Sequence, residues 1–311
     1  MKDVICCGQA VLDCITRGKE KAPYRENVYR AESVRLSAGG DAVNESITLA
    51  GMGVRAAVVC GLGDDIAGRI VLDELRRAGV DTERISAMSS DTPIANIQVE
   101  TDGSRISVNS GATRLPGYRI APESLRGARI VSFASLFRPP LEEPEVIRQL
   151  IAEAKKDGTI VCADTKLPLV EGIDMEILSD VWPLVDFFFP NEKEAAFYTG
   201  KRELPEMADA LYAYGIRNVI IKAGKEGCYL KNAEESTPLP AVPVETVRDT
   251  TGAGDALVSG CAAAMVEGFD TEQIGRFGSA NAAFAIESFG ATTGLKPMED
   301  VLKRAGIGAC E

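Results

Sequence analysis

Histidine is missing from all 311 residues. That removes Ser-His-Asp chemistry, His-ligated metals and histidine general bases together. Cysteine occurs eight times, at Cys6, Cys7, Cys14, Cys60, Cys162, Cys228, Cys261 and Cys310, but never as C-x-x-C. Most of these lie in apolar runs, so buried thiols in a reducing cytosol are expected, not zinc ligands or disulfides. No apolar run is long enough to span a membrane and no signal peptide follows Met1, so a cytoplasmic protein without a membrane partner is expected. Basic patches are also missing, and the net charge is −12, which disfavours nucleic acid as a partner. Two nucleotide motifs are absent. Gly200-Lys201 and Gly224-Lys225 lack the rest of a G-x-x-x-x-G-K-[ST] loop. Gly61-Leu62-Gly63 is followed by Ile66 where a dinucleotide fingerprint needs glycine, so a dehydrogenase is not indicated. Internal repeats, low-complexity tracts and long linkers are lacking too.

What is present is ordinary for a soluble chain with a sizeable core: 45% hydrophobic and 26% charged residues. The length suits one large α/β domain or two small ones. Val4 to Gly8 reads as a first strand, with Asp13 at its exit. Cys14–Thr16 and Val28–Val34 read as strands around a polar stretch. Gly39-Gly40 precede a helix from about Asp41 to Ala50. Ala57–Cys60 reads as a strand, and Ile66, Ala67, Ile70, Val71 and Leu75 fall at helical spacing. Ile94–Val108 alternates around Asp102-Gly103, as a hairpin does. Strands are then expected at Ile130–Phe133, Val161–Asp164, Phe187–Pro190 and Val219–Lys222. Helices are expected at Pro144–Lys156, Asn191–Thr199 and Glu206–Tyr214. The alternation predicts a doubly wound, mostly parallel sheet flanked by helices. Asp13, Asp164 and Asn191 fall at strand ends, where ligands bind in such folds. The segments at about 14–35 and 92–110 interrupt the pattern, and a small separate β-sheet is expected from them.

The stretch Asp249-Thr250-Thr251-Gly252-Ala253-Gly254-Asp255 carries the most chemistry. It reads as a glycine-rich loop running into a buried helix that extends to Glu267. Free N–H groups at a helix start favour an anion. An aspartate there would repel phosphate, but it makes sense facing a second reactant. One loop would then supply an anion cradle and a proton acceptor side by side. A plain glycine-rich helix cap is the competing reading.

Four further motifs lie along the chain. Gly39-Gly40-Asp41-Ala42-Val43-Asn44 can offer backbone N–H groups and an amide to hydroxyls, or can be a simple turn into a helix. Asp13 can accept hydroxyl donors, or be a solvated loop residue. Asn191 and Glu194 lie on one helix face, able to hold Mg²⁺-bound waters or to form a capping box. Lys222-Ala223-Gly224-Lys225-Glu226-Gly227 permits close backbone approach, or is a common turn between strands.

Together these motifs resemble the ribokinase-like (phosphofructokinase-B-type) carbohydrate kinases over nearly the full chain. The resemblance implies one ribokinase-like α/β domain spanning 1–311, with a small β lid inserted in it. It implies an ATP-dependent phosphotransferase acting on an alcohol of a sugar or sugar-like substrate, with Asp255 as base and Gly252, Ala253 and Gly254 as the anion hole. Asp13, Gly39, Gly40, Asp41 and Asn44 would hold the acceptor. Asn191, Lys222, Gly224, Gly227, Thr251 and Asn281 would hold ATP, and Glu194 would reach Mg²⁺ through water. Asp249, Thr251, Ser288 and Gly290 resemble a loop for a monovalent cation such as K⁺. A nucleoside kinase of the same fold is the alternative. A non-catalytic sugar-binding regulator would be expected to have lost the base or the glycines, and this chain keeps both.

Arg138 and Lys166, just past predicted strands, could meet a substrate carboxylate or be solvated cations. Asp13 and Asp41 would set two carboxylates beside the acceptor. On that ground a free neutral or carboxylated sugar is expected over a sugar phosphate. The lid is expected to bury an apolar face against a second copy, giving a homodimer.

Overall fold

The computed structural model describes residues 2–21, 27–99, 105–169 and 171–308. The first strand, β1 (Lys2–Cys7), has Val4 to Cys7 fully buried, as a strand covered on both faces requires. The chain then runs through β2 (Val11–Arg17), the short pair β3 (Glu20–Lys21) and β4 (Tyr29–Arg30), and β5 (Ser33–Gly39). Helix α1 (Asp41–Gly51) returns it to β6 (Ala56–Val59). Then come β7 (Gly61–Gly63), α2 (Ile66–Arg77), β8 (Ser86–Met88), β9 (Ile94–Val99) and β10 (Arg105–Asn109). Strand and helix alternate through β11 (Ala128–Leu136), α3 (Pro144–Lys155) and β12 (Ile160–Thr165). They continue through β13 (Phe187–Phe188), α4 (Glu192–Thr199), α5 (Leu204–Tyr212) and β14 (Asn218–Lys222). A meander of β15 (Cys228–Lys231) and β16 (Ser236–Leu239) precedes α6 (Ala253–Glu267), α7 (Thr271–Ile286) and α8 (Met298–Ala305).

Eight strands make one sheet in the order β16-β15-β14-β13-β12-β11-β1-β6. From β6 to β14 neighbours are parallel, and only β15 runs against the rest, pairing antiparallel with β14 and with the edge strand β16. The doubly wound sheet expected from the sequence is therefore present. Alternate residues of β1 feed two apolar layers. Val4 and Cys6 join Val43 of α1, Leu257 of α6 and Phe277 of α7. Ile5 and Cys7 join Ile147 of α3, Ala195 of α4 and Met207 of α5. The chain leaves β1 for β6 on one side, while β11 lies on the other. That change of direction opens a crevice at the carboxyl ends.

A second sheet has the order β10-β9-β2-β5. Its strands differ in extent from the expected segments. The second of them runs Ser33–Gly39, not Val28–Val34, because it pairs with β2 over seven positions from Arg17↔Ser33 to Val11↔Gly39. The expected hairpin pairs as β9 and β10, while its Asp102-Gly103 turn lies outside the described residues. Register sorts the faces. Asp13 is opposite Ser37 and Ala95, and Ala95 opposite Asn109. Successive side chains alternate, so Asp13, Ala95 and Asn109 share one face. Val34, Leu36, Ile106 and Val108 take the other, each at least half exposed.

Candidate active site

Gly252 caps α6 with φ of 75°, a region that costs an L residue. A Cβ on it would lie 2.5 Å from Cβ of Ala291. This turn aims the start of α6 into a cavity of about 1270 Å³ whose wall includes Thr251 to Asp255. The first-turn N–H groups of a helix lack intrahelical partners, so they can meet an anion there. The rest of α6 is buried on nearly every side and packs on α7, which fixes its direction.

Asp255 is 5% exposed, and its Oδ2 accepts a 2.7 Å hydrogen bond from Nδ2 of Asn44 in the first turn of α1. Burial, then the charge of Asp41, push its carboxyl up to about 7, against the pull of Lys166 and Asn44. A carboxylate kept dry and bonded on one oxygen leaves the other for an alcohol proton.

Asp13 sits on the site face of β2, not at the exit of β1 as the sequence suggested, because the chain folds into the second sheet before reaching it. Burial, then the charges of Asp41 and Asp255, raise its carboxyl to about 7. Gly39 makes room for it, since a Cβ there would fall 2.2 Å from Asp13 Oδ2. Asp41 is not the bare carboxylate anticipated. Lys166 Nζ lies 3.0 Å from its Oδ2, and the Ser135 hydroxyl donates to the same oxygen. Burial pushes Asp41 up, but Lys166 and Ser135 outweigh it and hold the carboxyl below its usual range. Asp41 in turn raises Lys166 well above the ordinary lysine value. Lys166 is thus committed to Asp41, while Arg138 is half-buried on the cavity wall.

At the other end, Lys222 Nζ is paired with Asp164 Oδ2 and lies 3.5 Å from where a Cβ on Gly254 would stand. Gly224 and Gly227 line the same end. Asn191 lines the cavity and also caps α4: its Oδ1 accepts from Glu194 N at 3.0 Å, and its N donates to Glu194 Oε2 at 2.8 Å. Both readings of that pair are therefore compatible. Burial, then the charge of Asp164, raise the Glu194 carboxyl.

Six expected residues are not on the cavity wall: Gly39, Glu194, Asp249, Asn281, Ser288 and Gly290. Asp249 Oδ1 accepts from Thr251 N at 2.9 Å and its Oδ2 from Gly290 N at 3.0 Å, tying two loops together. Asn281, expected to flank adenine, instead donates to Ala256 O at 2.7 Å and so binds α7 to α6. Ala282, Ala283 and Ile286 line the cavity there, because the helix turns its amide inward. Sequence reasoning missed Ser135, Asn109 and Arg114. They come from three separate segments with no shared motif, and only the fold joins them.

A family model for pfkB family carbohydrate kinases matches residues 1–298. The chain is 27% identical to the ribokinase of Haemophilus influenzae over 281 residues, covering 88% of each. It is 26% identical to the 2-dehydro-3-deoxygluconokinase of Bacillus subtilis over 305 residues, 93% of this chain and 94% of that protein. Among solved structures, Arabidopsis thaliana ribokinase complexed with ribose and ATP superposes with a TM-score of 0.82 at 25% identity, covering 99% of both chains. With its helix-start glycines, its buried aspartate and its match over residues 1–298, the chain belongs to the pfkB family of carbohydrate kinases.

Proposed function

We propose that this chain transfers the γ-phosphoryl group of ATP to an alcohol of a sugar or sugar-like acceptor. The observation that carries this is the Asn44–Asp255 hydrogen bond beside the open first turn of α6. The alcohol sits between Asp13, Gly40 and Asn44, with its hydroxyl toward Asp255. An alcohol is far less acidic than a carboxylic acid, so Asp255 takes the proton only as the new P–O bond forms. The N–H groups of Gly252, Ala253 and Gly254 receive the charge that gathers on the transferring group. Lys222, Gly224, Gly227, Asn191 and Thr251 hold the nucleotide.

Magnesium fits these residues as an ion carried in with the triphosphate. Among the described residues no three acidic or thiol side chains converge into a metal cage. Mg²⁺ commonly keeps its waters and uses one or two carboxylates beside phosphates, and Glu194, bonded to Asn191 just behind the wall, would take that part through a water. Bound there, it supplies charge neutralisation. Asp249, Thr251, Ser288 and Gly290 offer oxygen atoms to K⁺ in the paired loops. The second sheet acts as a lid within one domain, its site face over the acceptor. Its apolar outer face, Val34, Leu36, Ile106 and Val108, pairs with a second copy to give a homodimer. The seven described cysteines are free thiols, which suits the cytoplasm, and Cys310 lies outside the described residues.

The test is ADP release with ATP and Mg²⁺ against sugars and nucleosides, with the Asp255→Asn variant in parallel. Sugar-dependent release that vanishes in the variant is expected. Equal release in both proteins overturns the reading.

A further inference from the structure

Phe289 stands in the loop after α7, between Ser288 and Gly290, and belongs to neither apolar layer of the sheet. Its ring is 38% exposed and is shared by two arginines. Arg17 Cζ lies 3.5 Å from the ring centroid, and Arg248 Cζ lies 5.9 Å from it. A guanidinium over an aromatic face is attracted by the negative face of the ring. Neither arginine has an ion pair among the described residues, so the ring is their common partner.

The contact joins two distant parts of the site. Arg17 ends β2, four residues after Asp13 and on the same face, because side chains alternate along a strand. Its register with Ser33 and Val99 fixes it within the second sheet. Arg248 precedes Asp249, and its N–H donates to Ile286 O at 2.8 Å. The loop of Phe289 is bonded to the anion cradle. Gly290 N donates to Asp249 Oδ2 at 3.0 Å, while Thr251 N donates to Asp249 Oδ1 at 2.9 Å. Ala291, one residue further, is the neighbour that a Cβ on Gly252 would strike. The Thr293 hydroxyl donates to Phe289 O and closes the turn. Neither Arg17 nor Phe289 is on the cavity wall, so any effect they have on the reaction passes through what they hold.

We propose that Arg17 and Phe289 are positioning residues: their stacked contact fixes the strand that carries Asp13 against the loop that carries Gly252 to Gly254. The bond between Asn44 and Asp255 ties the same two halves through α1 and α6. The stacked contact ties them through the second sheet, which elsewhere rests on α2. Reacting groups a fraction of an ångström out of line lose rate, so a second tie of this kind acts on turnover and leaves nucleotide affinity alone. The effect on turnover rests on the kinase reading, whereas the tie itself does not.

Two measurements test this on the unaltered chain, Arg17→Gln, Phe289→Leu, Phe289→Tyr, and Arg17→Gln combined with Phe289→Leu. The first is amide hydrogen exchange without ligand, read at Thr251 and Gly290, whose N–H groups bond Asp249. Arg17 lies in the other sheet, so its loss reaches these amides through the ring. Exchange there should quicken about twofold to thirtyfold in Arg17→Gln, the range that a guanidinium on a ring spans. Phe289→Tyr keeps the ring and should exchange like the unaltered chain. The second is ADP release with ATP, Mg²⁺ and whichever sugar or nucleoside of the panel gives the fastest release. The kcat should fall by a similar factor in Arg17→Gln and Phe289→Leu and recover in Phe289→Tyr, with calorimetric ATP affinity unchanged in the absence of acceptor. The double variant should be no worse than the poorer single one, because both remove one contact. Unchanged exchange at Thr251 and Gly290 in Arg17→Gln overturns the proposal, and so do kcat losses that add in the double variant. Quickened exchange with no phosphorylated product from any compound of the panel keeps the tie and sinks the kinase reading. Unchanged exchange with sugar-dependent ADP release does the reverse.

Discussion

Asn44 Nδ2 and Asp255 Oδ2 meet at 2.7 Å although 211 residues separate them. One belongs to the turn proposed for the acceptor and the other to the loop proposed for the anion. Their bond makes the two halves of the site one object. The amide fixes which carboxylate oxygen stays free, and α1 and α6 pack directly on each other to hold that geometry.

Replacing Asp255 by Asn keeps the shape and removes the proton acceptor. The kcat is expected to fall by about two to four orders of magnitude, the usual worth of a positioned base. Affinity for ATP, read by calorimetry, should stay within a few-fold. Turnover near that of the unaltered chain would remove Asp255 from this role.

The carboxyls of Asp255 and Asp13 are both raised to about 7, chiefly by burial. Activity needs Asp255 ionised, so kcat/KM should rise with pH and level off above about 7. Stability runs the other way. Between the ordinary value of 3.8 and about 7 the folded chain keeps protons that the unfolded chain has lost. By linkage, these two groups lower stability as pH rises through that window. The Tm advantage of Asp13→Asn over the unaltered chain should therefore grow from about pH 5 to about pH 8. A scanning-calorimetry series in which the gap shrinks would contradict the burial argument.

At Gly252 an alanine would meet Ala291 and be forced into positive φ. The strain alone costs about 1–3 kcal/mol. A displaced turn also moves the N–H groups, and losing one such donor costs roughly 100- to 1000-fold in kcat. Gly252→Ala should show both losses, while Gly53→Ala, whose Cβ meets nothing within 4 Å, should lose stability with little change in kcat. Equal kinetics for the two variants would argue against the anion hole.

The outer face of the second sheet offers a test of assembly. Leu36→Lys combined with Val108→Lys places charge on two half-exposed apolar positions. Light scattering is expected to give a dimer for the unaltered chain and a monomer for the double variant. A monomer in both cases would leave that face with another purpose.

The sequence alone determined the sheet and the glycine-led start of α6, because both are written locally. Unbroken apolar runs such as Val4 to Cys7 mark strands buried on two faces. The glycines before Asp255 mark a helix start in a form that no periodicity can blur. Pairing was a different matter, since it depends on partners far away in the chain. Asp13 looked like the end of the first strand, and only its register with Ser37 and Ala95 set it on the second sheet. Asp41 looked like a free charge until the fold brought Lys166 to 3.0 Å of it. Asn281 looked like a nucleotide contact, yet helix packing spends its amide on Ala256. Arg114 gave no sign at all, because an arginine in a turn is ordinary until its place on the cavity wall is known. Local sequence sets which groups are available. Their charge state and partners are fixed by burial and by contacts across the fold, and these exist only once the chain has closed on itself.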